Sequence, residues 1–294
     1  MPAPDAPLIV AGLSRDASLA AGRALLRSAG VDAADQDARA LLLVACGIDR
    51  LALVTGAAAP VSANEAQQYR SLLERRAAGE PASRILGRRA FWTLDLEVRP
   101  GVLDPRPDSE ALVRLALRVG RRHGRAPRRI LDLGCGSGAL LCALLDEFAD
   151  AHGIGVDLSD EACAATRANL AACDFGRRAA VFRGRWAAAL VGPFDVIVSN
   201  PPYIRAGDIA GLDREVRDHD PHLALDGGPD GLDAYRELFA GAPDILGRDG
   251  VIAVEFGSSQ AGDVERLANG RGLQKIDAEQ DISGRPRASA FAIT

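Results

Sequence analysis

The stretch RILDLGCGSG, residues 129–138, decides the fold of this chain. Its first residues have the apolar character of a buried strand, and glycines at alternate positions follow, before a helical pattern that begins at Ala139. A strand, a glycine-rich loop and a helix in this order are typical of a nucleotide-binding α/β unit. We therefore expect the surrounding chain to form a sheet of parallel strands with helices between them.

Strand and helix patterns continue to alternate after this stretch. The further predicted elements are a helix at 139–148, a strand at 153–159, a helix at 160–172 and strands at 179–184, 194–200 and 250–257. Two more short strand candidates follow Gly272. Regular alternation of this kind predicts a doubly wound, Rossmann-like parallel sheet.

The chain before Arg129 has a different organisation. Residues 32–47 have apolar positions three and four apart, an acidic start and a glycine stop, and Ser62 to Glu65 form a possible capping box for a further helix. The stretch FWTLDLEV (91–98) alternates as a strand does, and a proline-rich turn follows it. We predict a helical domain over residues 1–82, a β-hairpin linker over 83–108 and the α/β domain over 109–294.

Composition excludes several classes of function. The chain of 294 residues has a net charge of −5 and a pI near 5.5, which argues against general binding to phosphate backbones. Its five cysteines are odd in number and contain no CxxC pair, so we expect a reducing, cytoplasmic location. Residues 1–12 lack the features of a signal peptide, and we expect no membrane span. His219 and His222 have no nearby cysteine, so we expect no metal.

The glycine loop favours one class of cofactor. Gly134, Gly136 and Gly138 let the backbone approach a ligand closely, and Asp157 ends the next strand, where an acid can accept hydrogen bonds from ribose hydroxyls. The spacing is GxGxG, and Asp132 precedes the loop by two residues. A carboxylate so placed repels a pyrophosphate, whereas S-adenosylmethionine carries an ammonium, a sulfonium and no phosphate. The loop therefore indicates a methyltransferase rather than a dehydrogenase.

A second motif, VSNPPYI (198–204), follows another predicted strand. Two prolines end the strand because neither can donate a backbone hydrogen bond, and they leave Asn200 and Tyr203 at its exit. A plain turn is one interpretation, since Asn-Pro is a common turn dipeptide. Ligands of open α/β sheets bind at the carboxyl ends of the strands, so the motif faces the cofactor if this strand adjoins the first one.

The residue types of this motif suit methylation of an amide or an exocyclic amine. Such a nitrogen is a poor nucleophile because its lone pair is delocalised. The Asn200 side-chain oxygen and the Pro201 carbonyl can accept both N–H hydrogens, which fixes the nitrogen as the methyl group approaches. Tyr203 can stack on the flat group. A separate side-chain base is not obviously needed, because the cofactor supplies the electrophile.

The chain resembles the bacterial release factor glutamine methyltransferases, the PrmC or HemK family, over nearly its whole length. The resemblance is carried by the stretches GEPASRILGRRAFWTLDLEV, LDPRPDSEALV, ILDLGCGSGAL, GVDLS, VSNPPYI, DPHLALDGGPDGL and VEFGSSQ. It implies a class I methyltransferase fold with a helical N-terminal domain that docks the substrate. It also implies N5-methylation of the glutamine in the GGQ motif of class-1 peptide chain release factors.

The resemblance also assigns residues to the cofactor. Asp157 is expected to bind the ribose and Trp186 to pack near the adenine. The cofactor-binding residues implied by the resemblance are Gly134, Cys135, Gly136, Ser137, Gly138, Asp157, Trp186 and Asn200.

The substrate pocket is implied in the same way. Asn200, Pro201, Pro202 and Tyr203 are expected to bind the glutamine and to form the catalytic motif. A carboxyl group at Glu255 is as compatible with a strand end as with catalysis, and Glu110 is as compatible with a helix start.

Four positions depart from the family's usual residues. Asp104 replaces an apolar residue, Ser109 replaces threonine, and Asp220 replaces glutamate before a proline. Arg185 stands where an acidic residue commonly precedes the tryptophan, and this change bears on the predicted adenine contact. None of them lies in NPPY or in the glycine loop, so we expect an active enzyme.

Three rival functions remain at this point. One is a glutamine methyltransferase acting on a large-subunit ribosomal protein, and another is an N6-adenine methyltransferase, which would need a basic groove that the composition does not suggest. The third is a binding module without chemistry, which the intact motifs disfavour.

We expect release factors as partners, no stable nucleic-acid binding and no membrane contact. Residues 204–231 form a long connection, which we interpret as a lid.

Overall fold

The computed structural model of the protein describes residues 9–293, which form two compact units that meet in sequence between Gly87 and Arg88. The predicted absence of a signal peptide concerns residues 1–12, and the first eight of these lie outside the described residues. Among residues 9–293, no helix combines the length and the apolar character needed to cross a membrane.

The first unit is the predicted helical bundle. Its helices are α1 (Arg15–Ser28), α2 (Ala34–Cys46), α3 (Arg50–Thr55), α4 (Ala63–Ala77) and α5 (Ala82–Leu86). The capping box is present, because the Ser62 hydroxyl accepts from the Glu65 amide and the Glu65 carboxylate accepts from the Ser62 amide. Apolar faces of α1, α2 and α4 pack around Tyr69, which is fully buried and donates its hydroxyl hydrogen to the Ala38 carbonyl at 3.0 Å.

The second unit opens with a β-hairpin of strands β1 (Arg88–Phe91) and β2 (Leu94–Glu97). The hairpin expected within residues 83–108 is present, but the strand pattern at 91–98 includes its turn, so only part of that stretch is strand. Phe91 pairs with Leu94, and Trp92 adopts a φ of 57° in the tight turn between them. The alternating apolar pattern continues across this turn, and a tryptophan is not a residue type that predicts a left-handed backbone, so the sequence did not indicate the turn.

The rest of the second unit is built on a seven-stranded sheet. Its strands, in chain order, are β3 (Arg129–Leu133), β4 (His152–Asp157), β5 (Ala179–Arg183), β6 (Phe194–Ser199), β7 (Leu246–Glu255), β8 (Leu273–Gln280) and β9 (Pro286–Ile293). Their spatial order is β5-β4-β3-β6-β7-β9-β8. The first five run parallel, as predicted, and β9 is antiparallel to β7 and β8. A short turn joins β8 to β9, and such a turn can connect only antiparallel strands.

Helices cover both faces of the sheet and confirm the doubly wound fold. They are α6 (Glu110–Gly120), α7 (Ala139–Glu147), α8 (Asp160–Ala172), α9 (Arg214–His219), α10 (His222–Leu225), α11 (Asp233–Ile245) and α12 (Ala261–Asn269). Helices α6, α7 and α8 bury apolar residues in one core, and α11 and α12 bury theirs in the other. Phe239 of α11 is fully buried, and burying a side chain of this size contributes about 2–3 kcal/mol. The two cores fix the strand ends on which the site is built.

Candidate functional site

A cavity of about 1020 Å³ opens at the carboxyl ends of β3, β4 and β6. These three strands are neighbours in the sheet, so the glycine loop after β3 and the NPPY motif after β6 meet at one edge. Gly134, Gly136, Asp157, Asn200 and Pro202 all line the cavity. The fold therefore brings together at one cavity residues that are up to 68 positions apart in the sequence.

The glycine loop needs glycine for reasons visible in its backbone. Gly134, Gly136 and Gly138 have φ values of 75°, 55° and 79°, which other residues rarely adopt. A Cβ at Gly134 would lie 3.4 Å from the Trp186 ring, and one at Gly138 would lie 2.8 Å from Thr166 Cγ2. The loop backbone at Gly134 and Gly136 therefore borders the cavity directly. Cys135 and Ser137 are buried within the same loop.

Asp157 ties the loop to the end of β4. Its Oδ2 accepts from the Gly136 amide at 2.9 Å, and its Oδ1 accepts from the Ser159 amide at 2.9 Å. Burial raises the pKa of the Asp157 carboxyl, and these backbone hydrogen bonds oppose the rise. Each carboxylate oxygen retains a second lone pair for a ligand hydroxyl in the cavity that Asp157 lines.

A second carboxyl lies in the same region. Asp132 is fully buried, and neither of its oxygens has a hydrogen-bond partner among residues 9–293 at normal geometry. Burial, reinforced by the negative charge of Asp157, raises the pKa of Asp132 to about 7. The surroundings of the loop are therefore electronegative, which suits a cationic ligand and opposes a phosphate.

Trp186 borders the cavity beside the loop, in a left-handed backbone conformation with a φ of 47°. Hydrogen bonds from Arg185 chiefly lower the pKa of Glu237 on α11, and the adjacent Trp186 side chain lowers it further. Arg185 and Glu237 form a two-pronged ion pair at 2.7 and 2.6 Å. The acidic group beside the tryptophan is therefore supplied by α11 and not by the residue that precedes it.

The NPPY motif divides between the cavity and the core. Asn200 and Pro202 line the cavity, Pro201 is buried, and Tyr203 is half-buried. The Tyr203 carbonyl accepts from Gln260 Nε2 at 3.0 Å. Burial raises the pKa of Tyr203 to about 12, so its phenol stays protonated and neutral near pH 7.

Gln260 was missed as a site residue at the sequence level. It is 8% exposed, and its Nε2 also donates to the Gly231 carbonyl at 3.1 Å, while its Oε1 accepts from the Gly257 amide at 3.0 Å. One side chain thus joins the NPPY motif, the end of the 204–231 segment and the exit of β7. The only sequence signal was its place in VEFGSSQ.

Two acids that the sequence left ambiguous have different surroundings. Glu110 accepts from the Trp92 backbone amide at 3.2 Å, which is a contact with the turn of the hairpin. Glu255 is 2% exposed at the end of β7 and lies against Ser109 and Asn200. Glu110 therefore has a structural contact, whereas Glu255 adjoins the NPPY motif.

The segment 204–231 contains a short 3-10 helix (Ala206–Gly211) as well as α9 and α10. Arg106 forms an ion pair with the buried carboxylate of Asp220, which anchors the segment beside the cavity. Pro221 and Leu223 line the cavity, and Leu223 is 55% exposed. Within residues 9–293, no group of three or more His, Cys, Asp or Glu side chains could hold a metal ion.

Solved structures resemble this fold. A methyltransferase from Pyrococcus furiosus matches with a TM-score of 0.51 at 19% identity, covering 76% of this chain and 96% of that one. The hMettl16 catalytic domain matches with a TM-score of 0.55 at 14% identity, covering 76% of this chain and 82% of that one. At these identities the likeness concerns the fold alone.

Sequence comparison defines the family. Residues 17–87 match the PrmC N-terminal domain, and residues 114–217 match the methyltransferase small domain. The release factor glutamine methyltransferase of Rhodospirillum rubrum is 45% identical over 280 residues, which cover 93% of this chain and 85% of that protein. The one from Agrobacterium fabrum is 43% identical, with coverage of 94% and 96%. The chain belongs to the family of release factor glutamine methyltransferases.

Proposed function

We propose that this protein methylates the side-chain nitrogen of the glutamine in the GGQ motif of class-1 peptide chain release factors, using S-adenosylmethionine. The observation that carries the proposal is the placement of Asn200 and the glycine loop on the walls of one cavity. An amide acceptor beside an electronegative cofactor loop suits transfer of a methyl group to an amide nitrogen. Membership of the family supports the same reaction.

The residues present fit S-adenosylmethionine. The carboxyls of Asp132 and Asp157 favour its positive charges, and within residues 9–293 the Asp132 oxygens have no side-chain hydrogen-bond donor. Gly134 and Gly136 keep the loop backbone open to the ligand, and Trp186 offers an aromatic ring beside them. When bound, the cofactor supplies an electrophilic methyl group.

The NPPY residues hold the acceptor amide. The Asn200 Oδ1 and the Pro201 carbonyl accept its two N–H hydrogens, which orients the nitrogen and disfavours delocalisation of its lone pair. Tyr203 flanks the flat amide group as a neutral ring, because its phenol does not ionise near pH 7. These residues raise the rate by positioning the nitrogen, which gains the methyl group and gives up one N–H proton to solvent, while the spent methyl donor leaves as a neutral thioether.

We assign docking of the release factor to the first unit. A groove of about 490 Å³ there is lined by Arg39, Arg50, Asp16 and the apolar Val54, and by Arg23, which forms an ion pair with Asp35 at 3.6 Å. Val54 is 76% exposed, and Arg39 and Arg50 have no ion pair among the described residues at 4.0 Å or less. This local positive charge, on a chain of net charge −5, suits an acidic segment of the protein substrate.

The five free cysteines are compatible with a reducing compartment, which supports a cytoplasmic location for this reaction.

Transfer of labelled methyl groups to three acceptors tests the proposal. The acceptors are an unmethylated class-1 release factor, a large-subunit ribosomal protein and a DNA oligonucleotide that contains adenine. We expect label in the release factor alone. Label in the ribosomal protein or in adenine, with none in the release factor, would move the activity to that rival substrate.

A further inference from the structure

The carboxyl group of Glu255 lies directly beside the NPPY motif. Strands β6 and β7 are parallel, and Ser199 pairs with Val254, so Asn200, just after β6, follows beside Glu255, the last residue of β7. Glu255 is 2% exposed although it lies where the strands end. A carboxyl buried at this depth requires polar partners, because an isolated buried charge is costly.

Those partners are donors from two other elements. Asn200 Nδ2 donates to Ser109 Oγ at 3.0 Å, and Ser109, at the start of α6, is 4% exposed. The Ser109 hydroxyl and the Asn200 amide lie against the Glu255 carboxyl, and both lower its pKa. Its Oε2 has no partner at normal geometry among the described residues. The charged groups that face this carboxyl are Arg287 of β9 and Asp108 before α6, and the Tyr203 phenol lies nearby.

This arrangement determines which end of the Asn200 amide faces the cavity. An ionised carboxylate is an acceptor only, so it favours the NH₂ end of a neighbouring amide over the oxygen end. The Ser109 hydroxyl can accept from Asn200 while it donates to Glu255. With Nδ2 held between these two groups, Oδ1 is left for the cavity that Asn200 lines. In the flipped orientation, Oδ1 would face the oxygens of Ser109 and Glu255. Nδ2 would then face the substrate amide, which is itself a hydrogen-bond donor.

We propose that Glu255, together with Ser109, is a positioning residue that holds the Asn200 amide with its oxygen directed at the acceptor nitrogen. The inference rests on the proposed function, in which Asn200 accepts a hydrogen from the glutamine amide. It assigns a role to two buried polar residues that bind neither the cofactor nor the substrate.

The positioning depends on pH. Burial raises the pKa of Glu255 to about 7, and the hydrogen bond from Ser109 opposes the rise. Below this pH the carboxyl is protonated, so its O–H can donate to the Asn200 oxygen as readily as its other oxygen can accept from the Asn200 NH₂ group. The fraction of correctly oriented Asn200 therefore rises as the pH rises through about 7.

Glu255→Gln is the decisive variant, because glutamine keeps the shape and satisfies either orientation of Asn200. We expect kcat to fall by about tenfold or more, as loss of one oriented hydrogen bond implies, while KM for the release factor changes little. The rise of kcat with pH near 7 should disappear. Urea unfolding checks that the variant is folded under the assay conditions, because the carboxylate that it removes faces Arg287.

Ser109 supplies the matched control. Ser109→Thr keeps the hydroxyl and should retain activity, whereas Ser109→Ala removes it and should lower kcat. A Glu255→Gln variant with wild-type kcat and an unchanged pH profile would overturn the proposal. So would a Ser109→Thr variant as impaired as Ser109→Ala.

A measurement without substrate separates this inference from the proposed function. The side-chain NH₂ protons of Asn200 can be identified by NMR, because their signals are missing in Asn200→Asp. We expect these protons to exchange slowly with solvent in the wild type and faster in Glu255→Gln. Equal exchange in the two proteins would refute the positioning of Asn200 by Glu255. An enzyme that fails to methylate release factor but shows the difference in exchange would refute the proposed function and leave this positioning supported.

Discussion

The side chain of Gln260 should stabilise the site and the second unit together. Gln260→Leu keeps a similar volume but leaves the carbonyls of Tyr203 and Gly231 and the amide of Gly257 without their partner. A neutral hydrogen bond contributes about 1 kcal/mol, so the three bonds correspond to about 3 kcal/mol. Because Gln260 is 8% exposed, water cannot readily replace these bonds.

The assay is urea unfolding followed by tryptophan fluorescence. Both tryptophans of the chain, Trp92 and Trp186, lie in the second unit, so their signal reports that unit alone. The exposed Gln274 of β8 supplies a matched control, and Gln274→Leu should change the free energy of unfolding by less than about 0.5 kcal/mol. A Gln260→Leu variant that is as stable as this control would refute the reasoning.

The same variant should lose activity beyond its loss of stability. Gln260 ties the Tyr203 carbonyl to the segment that ends at Gly231, so its removal loosens the wall of the substrate pocket. We expect kcat/KM for release factor to fall at least about tenfold at temperatures where the variant is fully folded. Cofactor affinity should change little, because Gln260 does not line the cavity beside the glycine loop.

Three further predictions concern the proposed contacts. Asn200→Ala should abolish methyl transfer with little loss of folding stability, as measured by labelled methyl incorporation and urea unfolding. Cofactor affinity should rise with pH up to about 7 and then level off, because a bound cation favours the ionised form of Asp132, whose pKa is raised to about 7. Calorimetry at pH 6 should therefore detect proton release, and Asp132→Asn should lose it. The double variant Arg39→Glu, Arg50→Glu should raise KM for full-length release factor without changing kcat, because it alters the groove of the first unit.

Each of these predictions has a contrary outcome. Near-normal turnover by Asn200→Ala would refute the hydrogen bond from the glutamine amide to Asn200 as a requirement for methylation. Cofactor binding that is independent of pH would show that Asp132 does not sense the bound cation. The arginine variants should methylate a short GGQ peptide as the wild type does, and an equal defect on peptide and protein would place the groove outside substrate docking.

Local patterns predicted the scaffold well. The strand before the glycine loop, the helix at 160–172 and the Ser62 capping box depend on neighbouring residues, and the structure contains all three. The loop and NPPY were expected to meet, because strand ends in parallel sheets share one edge. That expectation needed β3 and β6 to be adjacent, which they are.

Contacts between distant residues were not predictable. The bond from Gln260 to Tyr203 spans 57 positions, and that from Asn200 to Ser109 spans 91. Glu237 and Arg185 are 52 positions apart, so the sequence around Arg185 gives no sign of the carboxylate that pairs with it. Side-chain pairing across a core depends on the tertiary arrangement, whereas periodicity reports only which face a residue occupies.

The central claim is that the NPPY pocket methylates a glutamine side chain. Its most direct test is incubation of this protein with S-adenosylmethionine and unmethylated class-1 release factor, followed by fragmentation mass spectrometry of the GGQ peptide. The account predicts a single methyl group on the side-chain nitrogen of that glutamine, and none with Asn200→Ala. An unmodified GGQ glutamine, with cofactor bound and methyl groups found on another residue or molecule, would contradict it.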